Sequence, residues 1–366
     1  MSIDSTVSGP AARLVPAGWA GVPTAYLGGR LATDLIDVAD LRERPDALEA
    51  GGWWAVLGTF EGRIRAYRFG HVRRMSLAEA MSSVAGDRPA AGWRGPDRSE
   101  WRSSAGHDEY IGGVAAIRER IAAGDVYQVN LCRMLSAPLP PTADPWALAV
   151  RLADGNPSPY QGMLHTGDDW VVTASPELFL SRSGSEVHSS PMKGTTRSGE
   201  PFAAKDFPEN IMITDLVRND LGRVAMPGSV RVTRLAVREE HPGIAHLVST
   251  IRARLVPGVG WESLLGATFP PGSVSGAPKY TALQVIGEWE PVPRGPYCGA
   301  VGFVDADHGE AVLAVGIRTF FTAADPDGGR TLNFGTGAGI THLSDPEAEW
   351  QETELKAARL IALASR

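Results

Sequence analysis

The sequence predicts an α+β fold of large sheets covered by helices, and three observations carry that reading. Strand-like and helix-like segments are mixed without a regular βαβα period, which argues against a Rossmann unit or a TIM barrel. The 366 residues are 43% hydrophobic and 21% charged, enough for one large core or two packed ones. Runs of strand length alternate with period two or are apolar throughout, while other windows show helical spacing.

Residues 1–105 are the less patterned part and read as an N-terminal β-containing portion and linker; the core is expected over 106–366. The first twenty residues contain Asp4, Arg13 and two prolines but no continuous apolar stretch, so no leader is expected. No run approaches the length of a membrane span, and a cytoplasmic location is expected. Ala55 to Tyr67 reads as a hairpin turning at Glu61-Gly62. Gly86 to Gly106, rich in Gly, Pro, Arg and Ser, reads as a linker. Asp108 caps a helix through Ile111, Val114 and Ile121 that Gly124 ends. In the strand from Val126 to Leu131, Val126, Gln128 and Asn130 share one face. Further strands are expected at Trp170 to Thr173, Glu177 to Leu180, Gly299 to Val304 and Ala311 to Phe321, and helices over 208–221, 277–289 and 345–364.

The net charge of −7 and the lack of basic runs or zinc-finger spacing exclude a nucleic-acid partner. Cys132 and Cys298 lie far apart in apolar runs and read as small buried hydrophobes, not as a disulfide or metal site.

Chemistry concentrates in a few places. In Ser190-Pro191-Met192-Lys193-Gly194-Thr195, one lysine stands between a strand-like run and a glycine turn; held in a pocket, such an amine becomes a nucleophile. Asp206 with Glu209, and Glu349 with Glu352, are carboxylate pairs three apart on helical spacing, so each pair shares a face. Ordinary helix electrostatics explains such pairs, with Ser344 and Glu347 as a capping box and Glu352 paired to Lys356. The two pairs facing each other across a cleft would equally suit one hard divalent cation. Pro270 to Lys279 is a Gly- and Ser-rich loop entering a helix, suited to a plain cap or to an anion. Phe334 to Ile340 holds closely spaced glycines, but no helix follows, so a dinucleotide site is rejected. Arg318 inside an apolar strand requires a partner, either a structural acid or a ligand carboxylate. Glu177, after Ser175-Pro176, is a partly buried acid suited to proton donation.

Taken together, Gly124 to Leu131, Ser175-Pro176-Glu177, Pro191 to Thr195, Glu209-Asn210, Asp215 to Asp220, His246 to Thr250, Thr268 to Lys279, Tyr297 to Gly302 and Glu349 to Thr353 resemble the chorismate-utilising enzymes over roughly 106–366. This family includes anthranilate synthase component I, isochorismate synthase and salicylate synthase. The resemblance runs nearest to the branch of aminodeoxychorismate synthase component I. It implies two large packed antiparallel sheets flanked by helices, as in anthranilate synthase component I, with the site between them. It implies Mg²⁺ bound by Glu209 and Glu352, with Asp206 and Glu349 in support. Tyr297, Arg318 and backbone amides near Gly337 and Gly339 would grip the enolpyruvyl carboxylate of chorismate. Gln128, Thr195, His246, Ser275 and Lys279 match substrate-lining positions.

Two positions choose among branches. Water-adding relatives carry lysine where this chain has Gln128, and anthranilate synthases usually carry alanine where it has Lys193. The resemblance therefore implies conversion of chorismate and ammonia to 4-amino-4-deoxychorismate, on the route to p-aminobenzoate and folate, with Lys193 as nucleophile and Glu177 as acid. Anthranilate synthase component I and aminodeoxyisochorismate synthase are the alternatives. No glutaminase arrangement is visible, so ammonia is expected from a separate glutamine amidotransferase subunit in a heterodimer. The motif after Lys193 departs from the family pattern (Gly-Thr-Thr-Arg-Ser-Gly), and the tryptophan-binding element of relatives is not found in the N-terminal third.

Overall fold

The computed structural model describes residues 21–85, 92–241, 244–325 and 328–366. The expectation of no leader, and the first part of the expected linker, fall outside these residues. Among the described residues, eighteen strands pair into one antiparallel ladder. Inside the short edge strands Arg102–Ser103 and Gly276–Ala277, Gln128–Pro138 pairs with Arg330–Ile340, followed by Thr319–Ala324, Trp170–Ser175, Tyr160–His165 and Thr24–Leu27. The tight turn at Gly28-Gly29 leads into Arg30–Asp40, which opens the second half. There the order continues through Ile64–Arg74, Trp53–Gly58, Ala300–Asp305, Glu310–Val315, Leu178–Ser183, Glu186–Ser190, Ile244–Arg254 and Arg231–His241. Met192–Arg197 continues the edge of Glu186–Ser190 along Ile244–Arg254. The two expected sheets are thus the halves of one ladder. Strands from both sides of the 105/106 boundary pair with each other, as Ala300–Asp305 does with Trp53–Gly58.

The halves share a core that includes Leu164, Val171 and Phe321 from the first and Trp53, Val56 and Phe303 from the second. The opposite face of the first half carries Trp170, Val172, Phe320 and Phe334 against Trp146, Leu148 and Leu360 of the helices Pro145–Gly155 and Pro346–Ala364. Period-two alternation sorts neighbours such as Val171 and Val172 into these two layers. Burying each large apolar side chain contributes about 1.5–3 kcal/mol, which is what closes a ladder this long.

The hairpin at Glu61-Gly62 forms as expected, with Gly62 at φ 87°. Helices occupy Asp206–Gly222, Lys279–Trp289 and Pro346–Ala364, within two residues of the expected windows. Four expectations are corrected. The helix expected from Asp108 spans His107–Ala122 and is capped at Gly106, whose amide donates to Glu109. The last helix is capped by Asp345, which accepts from the Ala348 amide at 2.9 Å, not by Ser344 with Glu347. The Val126 strand begins at Gln128 and runs on to Pro138, because Arg330–Ile340 supplies partners along its whole length. The apolar run from Ala311 to Phe321 is two strands, interrupted at Gly316–Arg318. One strand belongs to each half of the ladder, and Arg318 sits between them at φ 51°.

Candidate active site

Two of the passages that the chain makes between the halves of the ladder are stitched to each other. Ser175–Leu178 joins Trp170–Ser175 of the first half to Leu178–Ser183 of the second; Gly316–Arg318 makes the reverse passage. The Ala174 amide donates to the Arg318 carbonyl at 3.0 Å, the Val315 amide to the Glu177 carbonyl at 3.0 Å, and the Ser175 hydroxyl to the Val315 carbonyl at 2.6 Å. Glu177 and Arg318 therefore emerge side by side along the seam.

Glu177 is 3% exposed. Burial raises its carboxyl to about 7, only partly offset by the Ser273 hydroxyl, the charge of Lys193 and the Met192 amide. Arg318 has no carboxylate within ion-pair distance among the described residues; Nη2 lies 3.1 Å from His246 Nε2. Burial alone lowers its guanidinium to about 10. Of the two partners the sequence left open, the structural acid is therefore missing. His246 Nδ1 faces the Thr195 hydroxyl at 3.2 Å and the Gly194 carbonyl at 3.3 Å. A bulge between Lys193 and Thr195, with Gly194 at φ 73°, turns that strand over Asp206; a Cβ there would lie 2.8 Å from the Asp206 Cβ.

At the centre, Lys193 Nζ stands 2.8 Å from Glu209 Oε1, and both side chains are less than one-tenth exposed. Gln128 Nε2 donates to the same oxygen at 2.5 Å, leaving Gln128 Oε1 buried without a hydrogen bond among the described residues. Gly339 closes this space from the other side: a Cβ there would sit 2.0 Å from Glu209 Oε1 and 3.0 Å from Lys193 Nζ. Beyond Phe334 its strand has a ladder partner on one side only among the described residues, so backbone groups of the Gly335–Gly339 stretch face the site.

The two helices bearing the acid pairs meet at this centre. Lys205 donates to Glu349 and lies 3.5 Å from Glu352, and Lys356 Nζ is 2.6 Å from Glu352 and donates to the Gly337 carbonyl at 3.0 Å. Burial pushes the Glu352 carboxyl up, but Lys356 and Lys205 outweigh it and hold it at about 2. Burial raises Asp206 to about 6, and it also raises Glu349 against the pull of Lys205. Among the described residues no three acid, His or Cys side chains form a ready-made cage; Lys205 lies between the carboxylates of Glu349 and Glu352. The donors are nevertheless hard carboxylate oxygens on two facing helices. Glu349 Oε2 is buried outside hydrogen-bond geometry, with the Ser344 hydroxyl near its carboxylate. These are the four acids that the sequence assigned to Mg²⁺: Glu209 and Glu352, with Asp206 and Glu349 beside them.

Three sequence candidates take other partners. Lys279 donates to Asp220 at 2.7 Å and to the Thr268 carbonyl at 3.0 Å, which locks the expected anion loop to a helix. The Ser275 hydroxyl is spent on the Pro271 and Gly272 carbonyls within that loop. Tyr297 is buried, its hydroxyl 3.8 Å from Cys132 Sγ and its ring against Gly335. Lys205 went unmarked in the sequence, although its place four residues before Glu209 was the available signal. The contact between Cys132 and Cys298 left no signal at all.

No described helix is long and apolar enough to cross a membrane. The model of the family described as chorismate binding enzyme matches residues 67–362. Anthranilate synthase component 1 of Streptomyces coelicolor is 39% identical over 310 residues, covering 80% of this chain and 59% of that protein. Aminodeoxychorismate synthase component 1 of Salmonella typhimurium is 38% identical over 275 residues, covering 72% and 59%. The chain thus spans about three-fifths of the length of these curated relatives. The solved anthranilate synthase component I of Streptococcus pneumoniae superposes with a TM-score of 0.73 at 23% identity, covering 97% of this chain and 95% of that one. The putative 2,3-dihydroxybenzoate-specific isochorismate synthase DhbC of Bacillus anthracis superposes with a TM-score of 0.76 at 21% identity, covering 95% of this chain and 97% of that one. These two share the fold, and the sequence matches settle the family: the chain belongs to the chorismate-binding enzymes.

Proposed function

We propose that this protein converts chorismate and ammonia to 4-amino-4-deoxychorismate. The observation that carries the reading is the enclosed Lys193 amine, set among Glu209, Gln128 and Gly339 and within the electrostatic reach of Glu177. A Mg²⁺ ion held by Glu209 and Glu352 would supply positive charge for the ring carboxylate. Arg318, without an acid of its own, offers a bidentate grip for the second carboxylate, and the open edge near Gly337 and Gly339 offers backbone amides.

The chain's own groups divide the reaction. Lys193 Nζ gives up its ammonium proton to solvent and, as the free amine, bonds to ring C2 as the two ring double bonds shift. The 4-hydroxyl leaves as water, taking the proton of Glu177, whose raised pKa keeps that proton available near neutrality. Ammonia then bonds at C4, the double bonds shift back, and Lys193 departs as the amine. One hard displacement becomes two easier ones. Ammonia would come from a glutamine amidotransferase subunit, in keeping with the "component 1" in the relatives' names.

Relatives named anthranilate synthase component 1 are equally similar, so formation of anthranilate is the second reading. The test is to incubate the purified protein with chorismate, Mg²⁺ and an ammonium salt at mildly alkaline pH and identify the product by mass and chromatography. Aminodeoxychorismate, convertible to p-aminobenzoate by an added lyase, supports the proposal. Anthranilate would overturn it and leave the fold and acid cluster standing.

A further inference from the structure

The acid cluster is already crowded with cations. Asp206, Glu209 and Glu349 are nearly inaccessible to solvent, and carboxylates so buried require compensation. Lys193 supplies it to Glu209, Lys205 to Glu349 and Glu352, and Lys356 to Glu352. A divalent ion placed among them adds two charges to three ammonium groups only a few ångströms away. Like charges repel strongly where solvent is excluded, so one ammonium group has to leave.

We infer that Lys205 is a built-in stand-in for the divalent cation, fastening Glu349 to Glu352 until a metal ion displaces it. The inference rests on reading the cluster as a metal site. Lys205 immediately precedes the helix carrying Asp206 and Glu209 and reaches across to the helix carrying Glu349 and Glu352. It therefore ties the same two helices that the ion would bridge. Among the described residues its ammonium group contacts these carboxylates alone. Lys356 has a second anchor in the Gly337 carbonyl and shares a helix with Glu352. Lys193 is held between Glu209 and the glycine-rich strand. A lysine on a flexible four-carbon stem with no anchor beyond the carboxylates is the one free to swing away.

The test is calorimetric titration of MgCl₂ into wild type, Lys205→Met and Lys205→Gln, with Tm measured for each with and without Mg²⁺. Removing the competitor is expected to tighten Mg²⁺ binding at least about tenfold. The metal-free Tm should fall, and saturating Mg²⁺ should restore most of the loss. Lys205→Gln retains a donor toward Glu349 should the methionine variant fold poorly. Unchanged or weaker Mg²⁺ affinity overturns the inference, and so does a Tm loss that Mg²⁺ leaves in place, because Lys205 would then be a plain structural tie. A larger gain in Lys356→Met also overturns it by moving the displaced cation to that residue. If wild type shows no saturable Mg²⁺ binding, with or without chorismate, the metal reading itself fails and the inference fails with it.

Discussion

Two of the buried charge clusters among the described residues are finished differently. Around Arg294, which is 1% exposed, the guanidinium donates to both oxygens of Glu290 at 2.6 and 2.7 Å and to the Val274 and Asn130 carbonyls at 2.7 Å, with the Phe60 ring 4.1 Å from its carbon. Glu290 also accepts from the Cys132 amide at 2.9 Å. Around Glu209, by contrast, Gln128 and Glu349 each keep a buried oxygen outside hydrogen-bond geometry, and a glycine replaces a side chain where any Cβ would collide. A buried ion pair repays its desolvation only when its remaining polar atoms are satisfied. The saturated cluster is a fastening; the unsaturated one keeps buried polar atoms in reserve, which supports the proposed ligand site.

The largest expected effect that sharpens this contrast falls on rate. Glu177→Gln should lower turnover about 10²–10⁴-fold, the usual contribution of a positioned proton donor, with little change in Tm. In wild type the limb governed by Glu177 should fall as pH rises through about 7, and this limb should vanish in the variant. A pH–rate profile checks both. Next, Arg294→Met strands Glu290 in the core and should cost about 3–5 kcal/mol of stability, read as a large loss of Tm. A Tm within a degree of wild type would break the comparison from the structural side. Gly339→Ala should displace Glu209 and reduce turnover roughly 10–100-fold through misplacement while sparing the fold, as circular dichroism and kinetics would show.

The smallest effect is a pH slope in stability. The folded pKa of Glu177 lies near 7, above its ordinary 4.5. Its contribution is therefore fully present below about 4.5 and is lost as pH rises toward 7. Tm measured across that window should decline more steeply in wild type than in Glu177→Gln.

Much of this arrangement was legible in the sequence because its signals are local. Helical spacing placed Asp206–Gly222, Lys279–Trp289 and Pro346–Ala364, and the family resemblance grouped Gln128, Lys193, Glu209 and Gly339, which lie together here. Arg318 misled because the strands on either side of it are both apolar; the break is marked only by Gly316 and a positive φ. Asp108 lost its cap role to Gly106 because Glu109 reaches back to that amide. Lys279 and Ser275 belong to a loop whose partners, Asp220 and Thr268 among them, are set by tertiary packing. Lys205 stands four residues before Glu209, but its partners Glu349 and Glu352 come from the last helix and are set by tertiary packing.

The most direct test of the central claim is turnover and Tm of Lys193→Ala, measured together with chorismate, Mg²⁺ and ammonium. The account predicts a rate reduced about 10³-fold or more, as for a lost nucleophile, in a protein that stays folded because Glu209 keeps the Gln128 amide. Wild-type-like turnover in a folded Lys193→Ala protein would contradict it.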